Sequence, residues 1–160
     1  MKKLLCILMM LLLAFPALAE GRYNPFAPYT LTAPEGVQLE ENEGTHTFVS
    51  GMTRVVAMVI DRVPDADPAQ AILRLMSQFE PNAVIEDELT FAAGHVGLTA
   101  RTADKYGEDI HQHNLMILSP EGKLLILSGY DLEGDDSSVL ALIDALLAAL
   151  TVDGTPIVTK

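Results

Sequence analysis

The chain has 160 residues, with 22 acidic side chains against ten basic ones, a net charge of −12 and a single cysteine. That field repels a phosphate backbone and an anionic lipid surface, which argues against nucleic acid and acidic membranes as partners. Tryptophan is absent and aromatic residues make up 6% of the chain, so a stacked sugar or base site has little to be built from.

The first 19 residues read as a leader. Met1-Lys2-Lys3 is basic, Leu4 to Phe15 is an uninterrupted apolar run, Pro16 breaks it, and Ala17-Leu18-Ala19 is the small-x-small pattern that signal peptidase reads. The run is well short of the ~20 residues that span a bilayer. Residues 1–19 are therefore predicted to be a removed signal peptide. Residues 20–160 would form one exported domain, secreted or periplasmic, with no membrane span after signal removal. Cys6 precedes most of the apolar run, so it is not placed as a lipid-modified cysteine. It leaves with the leader, and the remaining chain has no thiol for a disulfide, a metal or a nucleophile. Lys2 and Lys3 leave too, which makes the exported form still more acidic.

Beyond the leader, Gly21 to Pro34 carries Pro25, Pro28 and Pro34 and starts as an extended arm. Tyr29–Thr32 and Val37–Glu40 alternate, Glu41-Asn42-Glu43-Gly44 is turn chemistry, and Thr45–Val49 alternates again, which predicts a small antiparallel meander. Arg54–Ile60 is an apolar run read as a central strand. Asp67 then caps a helix over 67–79, with Pro68 at its first position, Gln70 three residues after the cap, and Ile72, Leu75, Met76 and Phe79 on one buried face. Pro81 ends it.

Val84–Phe91 reads as a strand with a loose or bulged middle, and Ala92-Ala93-Gly94 turns it. Val96–Arg101, Ile110–Leu118 and Lys123–Tyr130 follow as strands, with turns around Gly107 and at Ser119-Pro120-Glu121-Gly122. Leu124–Leu127 is apolar at every position, the signature of a strand covered on both faces. A second helix over 136–150, capped by Asp135 or Asp136, presents Val139, Leu142, Ile143, Leu146, Leu147 and Leu150, and Gly154 and Pro156 close it. Two covering helices and a mainly antiparallel sheet predict the α+β class, as an α/β/α sandwich.

Candidate chemistry is sparse. His111 and His113 stand two apart on a strand, so both imidazoles face one side and can reach one ion. A third ligand must come from elsewhere, with His95, His46 and many carboxylates available. One possible register sets Arg101 beside His113, where it opposes a cation. A catalytic zinc site needs three protein ligands, so the pair reads first as solvent-facing histidines at a strand's polar end, and no metal ligand is assigned beyond these two weak candidates.

Other motifs fail. Asp131 to Asp136 lacks the EF-hand glycine and glutamate, and acids at a helix start are expected from the dipole. Glu86-Asp87-Glu88 reads as a solvated edge or bulge. Met52, Met58, Met76 and Met116 read as core fillers. No Gly-x-Ser-x-Gly elbow, His-Glu-x-x-His, Walker loop or dinucleotide fingerprint occurs, so no catalytic residue and no cofactor is assigned.

The order of elements resembles the PsbP-like family, named for an extrinsic subunit of photosystem II. Tyr29-Thr30-Leu31-Thr32-Ala33-Pro34-Glu35-Gly36-Val37 is similar to that family's opening aromatic-x-apolar-x-x-Pro-x-Gly-aromatic, with Val37 where many members carry Trp. Gly94-His95-Val96-Gly97 resembles its glycine-containing strand after the first helix, and the leucine-rich last helix matches its closing one. The resemblance implies a PsbP-like domain over 20–160 and an exported, non-enzymatic module that binds an envelope or extracellular protein or a small ligand. The alternative is a metal-binding protein or metal-dependent enzyme using His111 and His113.

Overall fold

The computed structural model describes residues 26–61 and 67–158. The predicted signal peptide, residues 1–19, and the first residues of the predicted arm lie outside the described residues. The strands are β1 (Tyr29–Thr30), β2 (Gln38–Asn42), β3 (Thr45–Ser50), β4 (Thr53–Ile60), β5 (Val84–Thr90), β6 (Val96–Thr102), β7 (Gln112–Leu118), β8 (Leu124–Asp131), β9 (Thr151–Val152) and β10 (Thr155–Pro156). Two helices accompany them, α1 (Pro68–Phe79) and α2 (Asp136–Ala149).

Seven strands form one sheet in the order β2-β3-β4-β8-β7-β6-β5, antiparallel at every pairing. The chain climbs from β2 to β4, crosses through α1 to the far edge at β5, and walks back until β8 lies against β4. Leu124–Leu127 is thus on the central strand, and the run Arg54–Ile60 is beside it. The architecture is the predicted α/β/α sandwich of the α+β class.

Alternation along the central strands sorts the core into two layers. On one face Val55, Ala57, Leu115, Ile117, Leu125 and Leu127 pack with Val139, Leu142, Ile143 and Leu146 of α2. On the other, Leu98, Met116, Leu118, Leu124 and Ile126 pack with Ala71, Ile72 and Met76 of α1. The amide of Gln70 donates to Asp67 Oδ1 at 3.3 Å, the cap expected at that helix start.

Four local expectations are corrected. Phe79 ends the α1 stripe 60% exposed, outside the cluster through which Ala71, Ile72 and Met76 pack on the sheet. Met52 is 48% exposed in a turn rather than a core filler. Tyr29–Thr30 is not in the meander: β1 pairs with β9, which pairs with β10, in a separate three-stranded sheet. Gly154 and Pro156 therefore do not simply close α2. Asp153 and Gly154, with φ of 48° and 79°, make the two-residue turn of a hairpin between β9 and β10. Tyr29 anchors this small sheet, fully buried, with its hydroxyl donating to the carbonyl of Lys123 at 3.0 Å.

One contact governs how closely α2 approaches. Gly129 of β8 lies beneath the helix, and a Cβ there would sit 2.6 Å from Val139 Cγ1, 3.1 Å from Val55 Cγ2 and 3.3 Å from Ile143 Cδ1. Val55 and Val139 are fully buried, so none of these groups has free space to move into. Gly129→Val is therefore expected to lower unfolding free energy by about 1–3 kcal/mol, as overpacking does, seen as a lower urea midpoint with an unchanged m-value. A stability equal to wild type would show that α2 does not rest on residue 129.

Candidate functional site

The start of β7 and the start of α2 meet at one end of the sheet. The antiparallel register places His113 opposite Gly129 of β8 on one side and Arg101 of β6 on the other. The chain leaves β8 at Asp131, turns, and enters α2 directly over this corner. Asp131 holds the turn: it is buried, its carboxylate accepts from Thr53 Oγ1 at 2.7 Å, and it accepts from the amides of Glu133 at 2.8 Å and Asp135 at 3.3 Å. Burial opposes ionisation of Asp131, and these three donors outweigh it, holding its carboxyl below the usual range.

Asp135 caps α2 by accepting from the amides of Ser137 and Ser138. Gly134 makes the turn with φ of 79°, and a Cβ on it would sit 3.0 Å from the carbonyl oxygen of Asp109. The turn and the loop before β7 are thus in direct backbone contact, and that loop carries His111.

Asp136, the first residue of α2, faces both histidines. His111 Nδ1 lies 2.8 Å from Asp136 Oδ2 and His113 Nε2 lies 3.0 Å from Oδ1. Donor atoms of all three residues lie within 4.8 Å of one another. His111 and Asp136 share a hydrogen bond. The His113 approach has the distance of a hydrogen bond without its alignment, so both ring nitrogens of His113 are buried with no hydrogen-bond partner. Burial opposes ionisation of Asp136, but the imidazoles of His111 and His113 outweigh it and hold its carboxyl below the ordinary range.

A small cavity of about 90 Å³ beside His113 is also lined by Glu86, Thr99 and Asp144. The register that sets Arg101 against His113 is the one adopted. Its guanidinium, however, is drawn to the sheet edge, where Arg101 Nε lies 3.6 Å from Glu86 Oε1. Glu86 sits at a break in the β5–β6 register between Ile85 and Asp87, the bulge expected of that acidic stretch.

His95 and His46 are elsewhere. His95 is in the turn before β6, at the opposite end of the sheet, and His46 packs its ring 4.2 Å from Phe26. Asp136 is the partner that sequence reasoning passed over. Counting back through the Ser119–Gly122 turn sets Gly129 against His113, which brings the residues just after β8 to this corner. The opposite face of the same corner carries Gln112, Asn114 and Ser128. Gln112 Nε2 donates to Asn114 Oδ1 and to Ser128 Oγ, each at 2.9 Å, and Tyr106 donates to Gln112 Oε1 at 3.0 Å.

The lowered Asp136 carboxyl has a signed consequence. Between its folded and unfolded pKa values the unfolded chain binds more protons, so stability falls as pH falls through that window. This carboxylate's contribution is full above the ordinary range near pH 4 and is lost below its lowered folded value. Urea midpoints followed from about pH 6 to about pH 3 are expected to fall less steeply for Asp136→Asn than for wild type. Parallel curves would show that the imidazoles do not stabilise the charged carboxylate.

No protein-family model matches the chain. No curated protein matches it either. Among solved structures, the solution structure of cyanobacterial PsbP (CyanoP) from Synechocystis is similar at a TM-score of 0.51 and 16% identity, covering 82% of this chain and 91% of that one. The fold of this chain is PsbP-like.

Proposed function

We propose that this chain is an exported, non-enzymatic binding module of the cell envelope or extracellular space, and that its partner is a protein docking along β5. The observation that carries the reading is the state of that edge. Among the described residues β5 pairs with β6 alone and leaves one row of its backbone groups free of strand partners. Val84 is 63% exposed and Ile85 44% exposed at its start, and Phe79, at the end of the preceding helix, is 60% exposed. Large apolar side chains beside an open strand edge suit an added strand, which gains backbone hydrogen bonds from the edge and contact area from these three residues. Glu86, Asp87 and Glu88 continue the edge and favour a partner with Lys or Arg at the facing positions.

The likeness to cyanobacterial PsbP supports a module of this kind, and the leader-like residues 1–19 support export. Among the described residues no helix is long and apolar enough to cross a membrane.

Two measurements test this. Secreted from a host with signal peptidase, the product is expected to begin at Glu20 by intact mass, and a secreted product that retains Cys6 counts against a cleaved leader. In capture from an envelope extract of the encoding organism, a protein held by wild type is expected to be lost, by about tenfold or more, on Val84→Lys with Ile85→Lys. Equal capture by both, or no retained protein under gentle conditions, sinks the edge reading.

A second reading is favoured by the His111–His113–Asp136 cluster: a divalent cation held by these three groups. Tetrahedral donors about 2.0–2.1 Å from an ion stand about 3.4 Å apart, so the His–Asp contacts at 2.8 and 3.0 Å would have to lengthen and the three groups converge on one centre. Zinc titration followed by metal-content analysis is expected to give one ion per chain. His111→Ala with His113→Ala is expected to abolish binding, and Asp136→Asn to weaken it roughly tenfold or more. Zinc retained in the double variant removes this reading.

A further inference from the structure

At the end of the sheet opposite the His–Asp cluster, a cavity of about 700 Å³ opens between the β9–β10 hairpin, the turn before β6 and the β7–β8 turn. Its volume falls within the ~300–1,000 Å³ typical of small-molecule sites. The fold builds its walls deliberately. Tyr29 fastens the small sheet to Lys123, the amide of Asp153 donates to the carbonyl of Pro28 at 3.1 Å, and the amide of Ala92 donates to the carbonyl of Ile157 at 3.0 Å. The lining is mainly short or apolar, with Ala27, Ala93 and Ile157 among it, and its polar members include His95, Glu121 and Lys123.

His95 gives the cavity its chemistry. The ring is 3% exposed, and its Nδ1 lies 3.0 Å from the carbonyl oxygen of Ala92. A carbonyl only accepts, so Nδ1 carries the proton, and in the neutral ring Nε2 is left with a lone pair. That Nε2 is buried and has no hydrogen-bond partner. An orphaned buried acceptor costs free energy that a donor from a ligand recovers.

Charge narrows the class further. The Lys123 ammonium is already paired with Asp61 at 3.1 Å and donates to the carbonyl of Ala27. Glu121 and Asp153 leave the rim negative, on a chain whose net charge is −12. An anionic ligand is disfavoured by all of these.

We propose that this cavity binds a small molecule with an apolar body and one N–H or O–H donor, of the primary-amine or alcohol type, with His95 Nε2 as the acceptor. The site lies apart from both the β5 edge and the His–Asp cluster, so its failure leaves those readings standing, and theirs leaves it standing.

The test uses three probes of one shape: benzylamine, benzyl alcohol and benzoate. Each is titrated into the ¹⁵N-labelled exported form and followed through the His95 ring nitrogens and the amides of Ala93, Lys123 and Ile157. Benzylamine and benzyl alcohol are expected to shift these signals saturably, with benzoate about tenfold weaker or worse. His95→Phe keeps the ring and removes the acceptor, and is expected to weaken the two donors about tenfold. Thr155→Trp, at an exposed lining position, is expected to block the cavity and remove the response while the remaining spectrum keeps its wild-type dispersion. Benzoate binding as tightly as the donors, an unchanged titration in a folded His95→Phe or Thr155→Trp variant, or no saturable response from any probe overturns the proposal.

Discussion

Between β8 and α2 there is no room for a side chain at residue 129. The missing Cβ lets Val139 and Ile143 settle onto the sheet against Val55. That seat fixes the height of the helix, and the height fixes where its first residue stands. Asp136 reaches His111 and His113 only because α2 lies this close, and His113 is directly opposite Gly129 in the register. Packing and polar site are therefore one arrangement: a methyl group added beneath the helix acts on both.

The same corner concentrates polar groups that a sandwich of this size normally keeps at its surface. β7 is buried along its whole length, including Gln112, His113 and Asn114. Buried polar groups are tolerated when partnered, and Gln112 and the side-chain oxygen of Asn114 are, through Tyr106, Ser128 and each other. The exceptions are both nitrogens of His113, the side-chain nitrogen of Asn114 and the hydroxyl of Thr102. These four atoms lie together at one end of adjacent strands, while His46 Nδ1 and His95 Nε2 are unpartnered elsewhere.

The two ends of the sheet are built by different means. At the Asp136 end, side-chain carboxylates do the fastening: Asp131 gathers Thr53 and two amides, and Asp135 caps the helix. At the His95 end, backbone bonds and Tyr29 hang a small second sheet beside the large one and leave a cavity between them. The first end brings one carboxylate and two imidazoles together. The second has a mainly apolar lining, with His95, Glu121, Lys123 and Asp153 as its charged or titratable members. The exposed start of β5 lies outside the His95 cavity, and a bulge and three acids follow it along the strand.

Taken alone, the amino-acid order determined the elements and their two-faced character. Local chemistry carries both: Asp67-Pro68 is a helix-start signal, and the apolar run Leu124–Leu127 has the pattern of a doubly covered strand. The class and the PsbP-like likeness follow from that order. What no local rule reaches is which elements meet. Phe79 has the spacing of a buried residue and is 60% exposed, outside the cluster that α1 forms with the sheet. Tyr29 alternates like a meander strand and instead pairs with β9, more than a hundred residues away. Asp136 looked like one more acid at a helix start. Only the pairing of β7 with β8, and the close seating of α2 over Gly129, decided that its carboxylate would lie between two imidazoles, because such distances are set by register and packing across the chain rather than by neighbours along it.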